Sequence, residues 1–236
     1  MKNHVFLADF YQPVVHALER ANQQSPDFAP LIVPDRIHPG EVGHWIMAAE
    51  LLSQWHVNPV VSRVVLHADR ASVASTENAK VEALQATGDG LRWIETDQAL
   101  PLPLDPGDVL TKFLLKISDI ARLDQQIVQV DSLAPGDFEL VIDGKAAGTF
   151  SQDEWGRGVN IALCSTPMLS QARDVEWHEQ RRATLDQARF ILSAEITSTA
   201  GSQAAADALE QGQAELASAI RSSMELKPHT FELRRK

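Results

Sequence analysis

Pro34-Asp35-Arg36-Ile37-His38-Pro39-Gly40-Glu41-Val42-Gly43-His44-Trp45-Ile46-Met47-Ala48-Ala49-Glu50-Leu51-Leu52 begins as a turn and ends as a helix. Pro34 and Pro39 disfavour a helix across the first part, so a tight turn between them can fold Asp35 back onto His38. A carboxylate that accepts from the Nδ1–H of an imidazole fixes its tautomer and leaves Nε2 free to take a proton from a hydroxyl. Asp35 and His38 are therefore candidates for two of the three groups of a hydrolytic triad. Beyond the turn, Val42, Trp45, Ile46, Ala49 and Leu52 recur at helical spacing, which predicts an amphipathic helix running to about Trp55. Taken alone, the same residues also make an ordinary turn in which Asp35 caps the helix and His38 is a surface side chain.

Asp-x-x-His-Pro followed by Gly43-His44 and Met47-Ala48 resembles the last conserved block of the SGNH, or GDSL-type, ester hydrolases. The resemblance implies that Asp35 and His38 are the acid and base of a Ser-His-Asp triad. In that family the nucleophilic Ser of a Gly-Asp-Ser block, and the Gly and Asn blocks of the oxyanion hole, lie upstream. Here only 34 residues precede Asp35, and no Gly-Asp-Ser occurs: the Gly-Asp pairs at Gly88, Gly107 and Gly136 continue to Gly90, Val109 and Phe138. The expectation is a truncated or split hydrolase with little activity alone. Its fold class would be α/β: a remnant of a three-layer α/β/α, flavodoxin-like domain, then an antiparallel β-rich region and long C-terminal helices.

The 236 residues are 44% hydrophobic, enough for a sizeable core. No apolar run approaches the roughly 18 residues of a membrane span, and the first residues lack the layout of a signal peptide. A formal net charge of −11 opposes non-specific attraction to nucleic acid or anionic lipid. Cys164 is the only cysteine, which excludes an internal disulfide and a thiolate metal cluster and assigns no compartment.

Three regions are expected: 1–58 as the hydrolase portion, 59–160 as the β-rich region and 161–236 as the helical end. Val5-Phe6-Leu7-Ala8 reads as a strand buried on both faces. Its unpaired edge would invite self-association or a second chain. Pro13 to Gln23 reads as a helix. Val60 to Leu66 reads as a strand, and 81–87 with 91–96 as a β-hairpin around Gly88-Asp89-Gly90. Leu100-Pro101-Leu102-Pro103-Leu104-Asp105-Pro106-Gly107 can be neither helix nor central strand and marks a crossover. Gln125–Leu133, Phe138–Asp143 and Lys145–Phe150 read as an antiparallel meander. Ser151 caps a short helix stopped at Gly156 and Gly158, and helices are expected from Pro167 to about Ala194 and from Gln203 to Met224, the second broken near Gly212. The runs Pro135 to Gly144, Gly158 to Ala162 and Thr166-Pro167-Met168 also resemble the C-terminal extension of some bacterial SGNH proteins.

The other chemistry-bearing residues read as structural. His44 with Asp35 and His38 matches no zinc signature. Asn160 reads as a turn residue, Ser165 has no glycine-rich elbow, and Cys164 lies in an apolar run. The triad that the resemblance implies needs no metal or organic cofactor, and its substrate would be a small-molecule ester. The alternative is a non-catalytic binding module using the β-rich region. It would require exposed aromatics on the antiparallel part at about residues 105–160, where only Phe113, Phe138, Phe150 and Trp155 occur.

Overall fold

The computed structural model describes residues 7–88, 90–195 and 200–236, a mixed α/β fold of two sheets and six helices. Residues Tyr11–Gln24 form α1, started by Asp9, whose Oδ1 accepts the N–H groups of Tyr11 and Gln12 at 2.9 and 3.3 Å. Glu41–Gln54 form α2, and Val109–Ile117 form α3, N-capped by Asp108 on the Thr111 N–H. The small residues Ala17 and Ala21 on α1 let it lie close to Val42 and Ile46 of α2, and Phe113 and Leu114 of α3 close this helical core. Ile32, on the turn between α1 and α2, is fully buried in it.

The second core lies between two sheets. One has the order β2-β1-β5-β8, from Val60–His67 (β1), Ser72–Glu77 (β2), Gln125–Asp131 (β5) and Val159–Asn160 (β8). The other has the order β3-β4-β9-β6-β7, from Ala79–Thr87 (β3), Gly90–Asp97 (β4), Asp137–Ile142 (β6), Lys145–Ser151 (β7) and His229–Arg235 (β9). Among the described residues only β1 and β5 pair in parallel. Alternate residues of both sheets face inward, including Val64, Leu66, Val128 and Val130 from one and Trp93, Phe231 and Leu140 from the other. Strand β9 sets Leu233 between Leu91 and Leu140, and Phe231 stacks on Trp93 with ring centroids 5.2 Å apart. Gly90 is required there, because a Cβ would strike the carbonyl oxygen of Leu233.

Gln152–Arg157 (α4) begins with a capping box between Ser151 and Glu154, and Gly158 ends it at φ +92°. Pro167–Glu195 (α5) and Ala200–Ser223 (α6) form a long antiparallel pair. Gln171 ties its base by donating to the carbonyl oxygens of Ser223 and Glu225, both at 2.7 Å. Among the described residues no helix is long and apolar enough to cross a membrane.

The α/β class, the β-rich middle and the long C-terminal helices agree with the sequence reading. Several details do not. The expected meander is split, since β5 joins the first sheet beside β1 while β6 and β7 join the second. The chain changes sheets at Ser132 (φ +63°) and Gly136 (φ +140°). The final residues leave the helical region to become β9, and α6 runs unbroken through Gly212, where α5 approaches closely through Leu185. Of the apolar run read as an N-terminal strand, Val5 and Phe6 lie outside the described residues. Leu7 and Ala8 are not in a strand, and Leu7 is exposed.

Candidate active site

The Asp35–His38 turn sits on the helical core just ahead of α2. Its geometry is fixed from below by two glycines. The N–H of Gly40 donates to the carbonyl oxygen of Ile32 at 2.9 Å, and a Cβ on Gly40 or Gly43 would collide with the carbonyl oxygen of Leu31 or Ile32. The helix start is thereby pressed onto the 29–32 turn, whose Ala29 and Ile32 are buried. Arg36 takes φ +66°, which closes the loop tightly enough for Asp35 to reach forward.

Asp35 then engages His38 twice. Its Oδ1 accepts the backbone N–H of His38 at 2.7 Å and that of Ile37 at 2.9 Å, while Oδ2 lies 2.6 Å from the His38 Nδ1. The ring hydrogen bond, followed by the two backbone ones, lowers the Asp35 pKa to about 2. An ionised carboxylate only accepts, so Nδ1 carries the proton and Nε2 presents its lone pair. Among the described residues nothing bonds to Nε2, and the His38 side chain is 79% exposed. The arrangement is an oriented imidazole base awaiting a proton donor.

His44, on the exposed side of α2, does not join the pair, and no group of three or more metal-ligating side chains occurs among the described residues. Trp45 packs against the helical core. Asn160 is a structural pin: its Oδ1 accepts the N–H groups of Gln126 and Ala162, and its Nδ2 donates to the Asp124 carbonyl oxygen. Cys164 is half-buried, and burial pushes its thiol pKa up, so it is no ready nucleophile. Phe113, Phe138 and Trp155 are buried and Phe150 is half-buried, so the β-rich region exposes no aromatic platform.

Two features escaped the sequence. His229 Nδ1 lies 2.7 Å from Asp143 Oδ2, a second Asp–His pair at the edge of a cavity of about 670 Å³ that also holds Lys145 and Lys227. Its members are 86 residues apart, so no local spacing could reveal it. Between the sheets, Glu95 accepts from the Trp93 indole N–H, and Asp97 accepts from Gln126, both at 2.7 Å. Burial pushes both carboxyl pKa values up, and the Asp97 charge raises that of Glu95 further.

No family model matches this sequence, and no curated protein does. A solved structure of a gut microbial diltiazem-metabolizing enzyme has a similar fold, with a TM-score of 0.78 at 20% identity. The match covers 95% of this chain and 61% of that one, so the chain spans less than two thirds of that structure's length.

Proposed function

We propose that this chain is the Asp–His-bearing portion of an SGNH-type hydrolase that cleaves ester bonds by a Ser-His-Asp mechanism, with the nucleophile supplied by polypeptide outside this sequence. The observation that carries the reading is the 2.6 Å contact between Asp35 and His38 Nδ1 beneath an open Nε2. In the complete site, Nε2 takes the proton of the serine hydroxyl as its oxygen attacks the ester carbonyl. His38 then hands that proton to the departing alcohol, leaving an acyl-enzyme. Water, deprotonated by the same nitrogen, releases the acid and restores the serine. Asp35 stabilises the imidazolium in both halves.

The fold likeness supports this reading in two respects. The similar structure belongs to an enzyme that metabolizes diltiazem, in keeping with hydrolytic chemistry, and it has additional chain that could carry the missing blocks. Exposed Leu7, Tyr11, Ile37 and Trp55, all within residues 1–58, are also what an incomplete domain would leave uncovered. We propose the division 1–58, 59–160 and 161–236 as one of sequence and not of packing, since α3 closes the helical core of α1 and α2 and β9 pairs with β4 and β6.

The test is hydrolysis of p-nitrophenyl acetate by the purified chain, alone and co-expressed with the polypeptide encoded immediately upstream. Turnover that appears on co-expression and vanishes in His38→Ala is the expected result. Turnover by the chain alone that vanishes in His38→Ala would place the nucleophile within this sequence. Absence of any His38-dependent turnover in either preparation would remove the hydrolase reading.

A further inference from the structure

We propose that the apolar groove between residues 98–103, α5 and the 224–226 segment binds organic amines, molecules with a cationic nitrogen on an apolar body. The groove has a volume of about 540 Å³, in the range of pockets that enclose drug-sized ligands. Leu100 and Pro101 line one wall, Val175 another, and Met224 and Leu226 a third. Met224 and Leu226 are 55% and 40% exposed, an unusual placement for two large apolar side chains side by side. A flexible Met in the wall also lets the groove fit bodies of varied shape.

Charge decides which apolar molecules fit. Glu176 is the one charged residue in the lining, on the same face of α5 as Ala172 and Val175, three to four residues apart. Glu41, at the start of α2, acts on Glu176 by like-charge repulsion. Arg173 attracts Glu176 from nearby, but its ion pair is made with Asp105, with Nη1 2.9 Å from Oδ2. Among the described residues no cation forms an ion pair with Glu176 or Glu41. A neutral apolar occupant would strip water from Glu176 with nothing in return, and an anion would meet two carboxylates. An ammonium group seated against Glu176 neutralises one charge and eases the repulsion from the other. The chain's net charge of −11 draws cations toward the surface over longer range. Burial first, then Glu41, raise the Glu176 pKa, and the attraction of Arg173 offsets them only in part.

The inference stands apart from the hydrolase reading, because its test measures binding alone. Isothermal titration of the full chain with N,N-dimethyl-4-phenylbutylamine is set beside 5-phenylpentan-1-ol and 5-phenylpentanoate. The amine is expected to bind about fivefold more tightly than the alcohol or the carboxylate. Glu176→Gln should reduce the amine to the alcohol's affinity. Met224→Lys, which places a cation in the groove from an exposed position, should abolish the preference for the amine. Circular dichroism checks that both variants fold. Equal affinities for the three probes, a preference for the carboxylate, no binding of any probe at millimolar concentration, or an amine preference that survives either substitution would overturn the proposal.

Discussion

Asp35 grips His38 with both carboxylate oxygens, Oδ2 on the ring Nδ1 at 2.6 Å and Oδ1 on the backbone N–H at 2.7 Å. The first contact sets the tautomer and the second sets the turn. Asp35→Asn separates the two, because the amide oxygen can still accept the backbone N–H groups while its NH2 faces Nδ1 as a donor. The expected outcome is an intact turn with the ring flipped to its Nε2–H tautomer, read from the imidazole nitrogen shifts by NMR. In a complete enzyme the same substitution should lower kcat by about four orders of magnitude. An unchanged tautomer would show that Asp35 does not orient His38.

Gly43 lies within α2, where alanine would ordinarily help the helix by about 1 kcal/mol. Here a Cβ would run into the carbonyl oxygen of Ile32, a backbone atom that cannot rotate away, and into Pro39 Cβ at 2.9 Å. Gly43→Ala should therefore destabilise by roughly 1–3 kcal/mol in urea unfolding. It should also displace the Asp35–His38 turn, visible as shifted His38 resonances. A stabilised variant would mean that the helix start is not held against the 29–32 turn.

The buried carboxylates give the stability a defined pH dependence. Asp124, whose Oδ1 accepts the Leu102 N–H at 3.0 Å, has its pKa raised by burial from 3.8 to about 6. Between those values the folded chain holds a proton that the unfolded chain has lost, so stability falls as pH rises from about 4 to about 6. The loss from this group is of order 3 kcal/mol, at about 1.4 kcal/mol per pH unit. Glu95 and Asp97, also raised, add losses in the same direction, whereas lowered groups such as Asp35 lose their contribution only at more acidic pH. Urea midpoints measured from pH 4 to 7 should decline in the wild type and decline less in Asp124→Asn. Parallel curves would contradict the buried, raised carboxyl.

What could be read from the sequence was what depends on near neighbours. The Asp35–His38 contact spans three residues, α2 declares itself through Val42 and Ile46, and the α4 cap lies within Ser151–Glu154. Strand pairing depends on distant partners and was not legible. Strand β5 looks like part of a meander with β6, yet it pairs with β1, whose residues lie more than 60 positions earlier. Strand β9 has only Phe231 and Leu233 as apolar residues, and its place beside β4 and β6 emerges only when both are assembled. Strand β2 has Val73 as its one large apolar residue and is mostly exposed, so its sequence resembles a loop. The His229–Asp143 pair and the buried Glu95 and Asp97 belong to this second class.

Gly212 tests whether a close approach between helices is firm or yielding. It sits inside α6, and a Cβ there would meet only Leu185 Cδ1, at 3.0 Å. That atom is the end of a half-exposed, flexible side chain on α5, free to turn aside, in contrast to the backbone oxygen facing Gly43. Alanine should then express its helix preference, and Gly212→Ala should stabilise the α5–α6 pair by up to about 1 kcal/mol. Hydrogen exchange of the α6 amides is the direct measurement, because it reports opening of this helix pair apart from the rest of the fold. Slower exchange through the middle of α6 is expected. Faster exchange would mean that Leu185 is held in place, and that Gly212 is kept for the same steric reason as Gly43.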